Sequence, residues 1–270
     1  MLFSISPEAL FYFQFILKLS LSAALVVGAS LVIERSGPLI GALVVTLPVT
    51  VVPAFAFISL DHDARYMASF AIAGLAVNGV SAVFMLVFVV LAQKRNLIVS
   101  VGVSVVIWFI LAWLIHVHSW SSLTAFLLNA CLFPTCLFLS RHYRGHKIPP
   151  VKRQWYELPV RTMLVCLLMG TVLILSGFAS PGTAGMLAVY PISTTSTMLI
   201  IQSAYGGRSS ATVIANGLWG MVGIGLGIFF FGLTVEISVM LSIGVLIFVP
   251  VAWNMLVWLV YRRRSLVTSS

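Results

Sequence analysis

Six stretches of this sequence contain no Asp, Glu, Lys or Arg: residues 36–60, 66–93, 96–140, 162–207, 209–235 and 237–261. Roughly 20 apolar residues suffice to cross a bilayer as a helix. Each stretch is long enough to do so, and 96–140 and 162–207 are long enough to do so twice. Hydrophobic residues make up 61% of the chain and charged residues 8%, where a soluble domain is nearer half and a quarter. The chain therefore reads as an integral membrane protein. Strict apolar/polar alternation is not evident, so the spans are helices and not the strands of an outer-membrane barrel.

The two longest stretches must fold back. The polar and Gly/Pro turns at 116–122 (HVHSWSS) and 176–182 (SGFASPG) give them places to do so. The resulting reading is all-α, with about nine spans at 9–33, 38–60, 66–92, 97–116, 121–140, 160–178, 182–203, 209–233 and 237–261. No signal peptide is read at the start, because a basic n-region is missing and Lys18 interrupts the apolar stretch.

Nine spans place the chain ends on opposite sides. The C-terminal side would then hold Arg35, Lys94, Arg95, Arg141, Arg144, Lys147, Lys152, Arg153, Arg208 and Arg262 to Arg264, twelve residues, against Arg65 alone on the other. By the positive-inside rule the N-terminus lies outside and the C-terminus in the cytoplasm of a bacterial-type inner membrane. The net charge of +9 is on this reading a topology signal, and nucleic acid is not an expected partner. Residues 141–153 are expected at anionic lipid. The bilayer and an unidentified small solute are the expected partners, and a homodimer is compatible with the reading.

Prolines interrupt two spans in the same pattern. Pro38 and Pro48 are ten apart, as are Pro181 and Pro191, and the pairs lie 143 residues apart. The same shift matches Lys18 with Arg161, Thr50 with Ser193, Arg65 with Arg208 and Gly74 with Gly217. Five spans separate equivalent helices, an odd number, so the halves insert with opposite orientation. The expected organisation is a four-span repeat over 1–120, a linker span with a basic loop over 121–158, and an inverted four-span repeat with a basic tail over 159–270. Inverted repeats are a common plan of secondary transporters.

Arg161 stands thirty positions before Pro191, Ala184-Gly185-Met186 and Tyr190 precede that proline, and Gly206 and Trp219 follow it by fifteen and twenty-eight. This pattern resembles the GlpM family of small four-span inner-membrane proteins, in which a basic residue precedes an Ala-Gly-Leu and a Phe-Pro, with Gly and Trp after. The first half keeps Lys18, Gly41-Ala42-Leu43 and Leu47-Pro48, and departs at Asp63 and Ala76, where the Gly and Trp would stand. The resemblance covers roughly 10–117 and 153–260. It implies a duplicated relative of that family, whose name is associated with exopolysaccharide production.

Candidate substrate-binding residues follow from the interruptions. Thr46, Pro48, Thr50 and Pro53 lie in span 2, and Tyr190, Pro191, Ser193, Thr194, Thr195, Ser196 and Thr197 in span 7. A helix broken at mid-membrane offers backbone groups and hydroxyls to a solute. The alternative is a tolerated kink repaired by those hydroxyls. Lys18 and Arg161 would form a cation pair suited to an anionic substrate if both point inward, and interfacial anchors if they snorkel.

Other features read as structural. Asn78, Asn216 and Asn254 are helix-to-helix hydrogen bonders, and Gly220, Gly223 and Gly227 give the spacing of close helix packing. Arg65 and Arg208 are interfacial anchors, and Asp61, His62 and Asp63 form a solvated loop. His116 and His118 point to different faces, and His142 with His146 lacks a third ligand, so no metal is expected. Cys131, Cys136 and Cys166 are isolated. Carboxylates deep in spans are missing, as are nucleophile and phosphate-loop motifs, so neither a cofactor nor enzyme activity is expected. The leading expectation is a secondary transporter or exporter. The alternatives are a non-transporting component of envelope or exopolysaccharide production, and a lipid-intermediate flippase.

Overall fold

A computed structural model of the chain describes residues 7–35, 48, 50–145 and 155–267. All regular structure among them is helical: α1 (Pro7–Arg35), α2 (Val51–Ile58), α3 (Ala64–Leu91), α4 (Leu97–His116), α5 (Ser122–Leu139), a 3-10 turn (Arg141–Tyr143), α6 (Glu157–Ser176), α7 (Pro181–Ala188), α8 (Ile192–Thr234) and α9 (Val239–Val267). Six stretches of the described residues are long and apolar enough to cross a membrane: Ala64–Leu91, Leu97–His116, Ser122–Leu139, Glu157–Ser176, Pro181–Thr234 and Val239–Arg262. The chain is a multi-pass membrane protein. Most of the first proline-broken segment, including Thr46, lies outside the described residues.

The helix ends follow local chemistry. Asp63 accepts from the Tyr66 amide to cap α3, and Asn96 from Val99 to cap α4. Ser121 and Thr124 form a capping box on α5, and Ser180 caps α7 with Pro181 in its first turn. Each cap satisfies an amide that the helix itself leaves open. The chain folds back at both turns read from the sequence, since α4 ends at His116, α5 starts at Ser122, α6 ends at Ser176 and α7 starts at Pro181.

Helix α3 is the most enclosed of these spans and packs against α4, α5, α7 and α8. In lipid, apolar area does not drive one helix onto another, so small residues and polar contacts decide the packing. Polar contacts bind four neighbours to α3. The Trp108 indole of α4 donates to Ser81 Oγ at 3.1 Å. Asn129 of α5 donates to the Leu75 carbonyl at 2.7 Å and accepts from Asn78 at 2.9 Å. Asn78 also donates to the Met221 carbonyl of α8 at 3.3 Å. The Tyr66 hydroxyl reaches the Ser176 carbonyl at the end of α6 at 3.3 Å.

Contact order along the helices gives their directions. Gly232, Gly225, Gly217 and Gly207 of α8 face Ala71, Asn78, Met85 and Ala92 in turn. Numbers rise on one helix as they fall on the other, so this arm of α8 is antiparallel to α3. Gly185 abuts the Phe70 carbonyl, and Val189 lies against Gly74, so α7 runs parallel to α3. Gln202 donates to the Arg95 carbonyl at 3.4 Å, so the first arm of α8 keeps the direction of α7. The chain reverses at Gly206, the boundary between arms 192–205 and 207–234. Its φ of 80° and ψ of 172° lie in a region essentially reserved for glycine. The sequence reading placed a turn between 203 and 209, and a single residue makes it.

Gly223 and Gly227 form a second small-residue face on α8. They meet Trp253 and Pro250 of α9, and the Trp253 indole donates to the Trp219 carbonyl at 2.8 Å. Thr212 donates to the Tyr143 carbonyl at 2.7 Å. With Gln202–Arg95 and Gly207–Ala92, this gathers Lys94, Arg95, Arg141, Arg144 and Arg208 at one end of the bundle. Asp61, His116, Ser176 and Pro181 lie at the other.

Candidate functional site

Pro191 has no amide proton and cannot continue a helix from α7. The Ile192 amide donates instead to the Tyr190 carbonyl at 2.7 Å. With Pro191 at φ −76° and ψ 61°, the chain makes an inverse γ-turn. Tyr190 lies about nine residues into the stretch that begins at Pro181, or roughly 13 Å along a helix, close to the middle of a hydrocarbon core about 30 Å thick. The break thus puts the carbonyl end of α7 and the amide end of α8 inside the membrane.

The hydroxyl run is partly occupied by the break itself. Thr195 Oγ1 is shared between the Pro191 carbonyl at 3.0 Å and the Tyr190 hydroxyl at 3.2 Å. Ser196 and Thr197 both donate to the Ser193 carbonyl at 2.8 Å. Thr195 and Ser196 are buried, and Ser193, Thr194 and Thr197 are half-buried. Ser193 and Thr194, in the first turn of α8, are the members of the run whose side chains make no hydrogen bond among the described residues. An aromatic wall holds Tyr190: Trp108 stands edge-on at 4.7 Å, Phe109 stacks at 6.1 Å and Phe84 lies at 6.4 Å.

In the first proline-bearing segment, Pro48, Thr50 and Pro53 are buried. Thr50 precedes α2 without a side-chain cap bond, and Pro53 sits in the first turn, where a missing amide costs least. Phe55 of α2 packs edge-on against Phe70 and Phe231, both at 4.9 Å. Phe55 and Val189 converge on Gly74 of α3, and Phe55 and Val189 are 0% and 2% exposed. Where the two segments converge on α3, both side chains are buried.

Lys18 forms an ion pair with Asp61 in the loop between α2 and α3. Arg161 is half-buried on α6. Helices α1 and α6 pack together, with Phe15 and Leu19 against Gly170. That is nine residues along α6 from Arg161, again roughly 13 Å. Asp61, His62 and Asp63, read as a solvated loop, therefore carry more structure than expected. Asp61 meets Lys18, His62 stacks on Tyr66 at 3.8 Å, and Asp63 caps α3.

Two cavities adjoin these elements. At the Asp61 end, Ser69, His116, His118, Trp120, Pro181 and Gly182 line a cleft of about 280 Å³. His116 and His118 share it because α4 ends at His116 and the turn swings His118 round; a continuing helix would have parted them. The second cavity is an apolar groove of about 440 Å³ between α3, α5, α8 and α9. Near it, Arg144 donates to the Leu137 carbonyl at 2.6 Å and to Ser140 Oγ at 3.1 Å, and its guanidinium lies 5.7 Å from the Trp219 ring. Burial holds this guanidinium below its ordinary pKa. Neither the groove nor the burial of Arg144 was read from the sequence. No protein-family model, curated protein or solved structure matches the chain.

Proposed function

We propose that the chain is a secondary transporter or exporter whose solute binds at the broken α7–α8 helix, without cofactor or enzyme chemistry. The observation that carries this reading is the break at Tyr190–Pro191 inside a membrane-length stretch. A half-helix amide end within the membrane favours anionic or hydrogen-bond-accepting groups. Ser193 and Thr194 stand in its first turn. The substrate class is accordingly a small solute bearing such a group.

The inverted repeat belongs to the same proposal, with nine spans and both termini as read from the sequence. Helix α3 runs from 64 to 91 and the second arm of α8 from 207 to 234, a shift of 143 at both ends. Asn78 bonds the backbone of Met221, a separation of 143, on helices that run antiparallel. A pseudo-two-fold axis in the membrane plane brings a residue beside its own equivalent in this way. Rocking of the halves about that axis would expose the break to each side in turn.

Side-specific labelling tests the proposal without knowledge of the solute. Cys131, Cys136 and Cys166 are replaced, and Ser193→Cys or Thr194→Cys is introduced. An impermeant maleimide should reach either position from both membrane faces. Protection from both faces, with a Ser119→Cys control labelled, rejects alternating access at this site. Once a thermal-shift screen of organic anions, sugars and amines finds a solute, its flux in proteoliposomes should fall with Pro191→Ala and Ser193→Ala combined.

The buried convergence of Phe55 and Val189 on Gly74 favours a second reading, a non-transporting component supporting envelope or exopolysaccharide production. It expects protection of both cysteines and recovery of a stable partner by crosslinking.

A further inference from the structure

The groove between α5, α8 and α9 has apolar walls and a cation at one end. Ala130, Phe133 and Leu137 of α5 form one wall, and Trp219 with Trp253 the other. Ala130 is exposed on the outer surface of the bundle, so the groove opens toward the lipid. Its volume of about 440 Å³ falls in the range of roughly 300–1,000 Å³ usual for small-molecule pockets. A second helix would need a far larger complementary face, on the order of 1,000 Å² or more of buried area. A pocket of this size suits a single acyl chain better than a protein surface.

Two of the lining residues hold Arg144. The Leu137 carbonyl accepts from its Nη2, and the Trp219 ring lies against its guanidinium. Its other acceptor is the neutral Ser140 hydroxyl. Among the described residues the Nε–H is enclosed without an acceptor, and the Nη1 protons remain for one. A guanidinium in this state suits a phosphate. Arg141, in the adjoining 3-10 turn, stacks on Phe138 at 4.1 Å and adds a second positive charge at the same end.

We propose that the groove binds one acyl chain of an anionic phospholipid from the leaflet in which Arg144 lies, with the lipid phosphate on the Arg144 guanidinium. The site is separate from the α7–α8 break and stands whether or not the chain transports a solute. It makes α5 a lipid-dependent element, because the chain fills the space between α5 and the α8–α9 pair.

Native mass spectrometry of the purified full chain, titrated with phosphatidylglycerol and phosphatidylcholine of identical acyl chains, tests the proposal. The wild type should retain phosphatidylglycerol with a preference on the order of fivefold to thirtyfold, the value of one or two interfacial cations. Arg144→Gln should abolish the preference, and Arg144→Lys should keep part of it. Ala130→Phe fills the groove from its lipid-facing side and should reduce retention of both lipids. An unchanged preference in Arg144→Gln, or wild-type retention in Ala130→Phe, overturns the site. Should Arg144→Gln fail to fold, Ala130→Phe decides alone. Loss of a dimer without loss of lipid in Ala130→Phe would assign the groove to a second copy and overturn the proposal.

Discussion

Asn78 and Asn129 form the polar centre of the bundle. Both are buried, and Asn129 also donates to the Ala125 carbonyl at 2.8 Å. Interhelical hydrogen bonds in membranes contribute about 0.6 to 2 kcal/mol. Asn129→Leu should therefore destabilise the protein by about 1–2 kcal/mol, read by unfolding in detergent. Adding Asn78→Leu should restore part of the loss, because no buried amide is then left half-paired. The role of Asn78 was legible as a type, since an Asn within a span suggests a helix partner. Its partners were not, because they lie 51 and 143 residues away and nothing local specifies them. Glycines divide similarly. Gly206→Ala should cost about 1–3 kcal/mol from backbone strain alone, because no atom stands within 4 Å of an added Cβ. Gly102 has equally open surroundings and a helical backbone, so Gly102→Ala should be neutral or stabilising in the same assay.

The break between α7 and α8 was the most legible element. A proline within an apolar run withdraws an amide wherever it stands, and Tyr190-Pro191 marks the γ-turn that results. The use of the hydroxyls was less legible. Thr195, Ser196 and Thr197 bond carbonyls in the first turn of their own helix, leaving Ser193 and Thr194 as the members of the run whose side chains make no hydrogen bond among the described residues. Their roles differ by angular position around the helix, which composition does not reveal. Pro191→Ala supplies an amide and lets the helices join. It should leave the unfolding temperature unchanged or raised while removing two-sided labelling of Ser193→Cys. A lowered unfolding temperature with labelling intact would show that the break serves folding instead.

Charge distribution specified more of the whole molecule than any single motif did. Lys94, Arg95, Arg141, Arg144 and Arg208, sorted to one side by the span count, collect at one end of the bundle, and Lys18 turns to Asp61 at the opposite end. A cysteine at Gly145 should accordingly react only after cells are permeabilised, and one at Ser119 in intact cells. The reverse pattern would invert the proposed orientation. The lateral groove was not legible at this scale. It arises between helices far apart in the sequence, and each lining residue is individually an ordinary apolar member of a span.

The brevity of α7 has a consequence for how the protein is made. Its eight residues are about 12 Å of helix, too few to settle in a bilayer alone. As it leaves the ribosome, the stretch from Pro181 to Tyr205 must enter the membrane as one passenger with its interruption unsupported. The groups that brace the interruption, Trp108 on α4 and Gly74 on α3, were synthesised earlier and are already in place. The break therefore closes against a finished wall, and the direction of translation along the chain, first half before second, becomes part of the folding pathway. Separating the chain between α5 and α6 and expressing the second part first should slow assembly more than expressing the first part first.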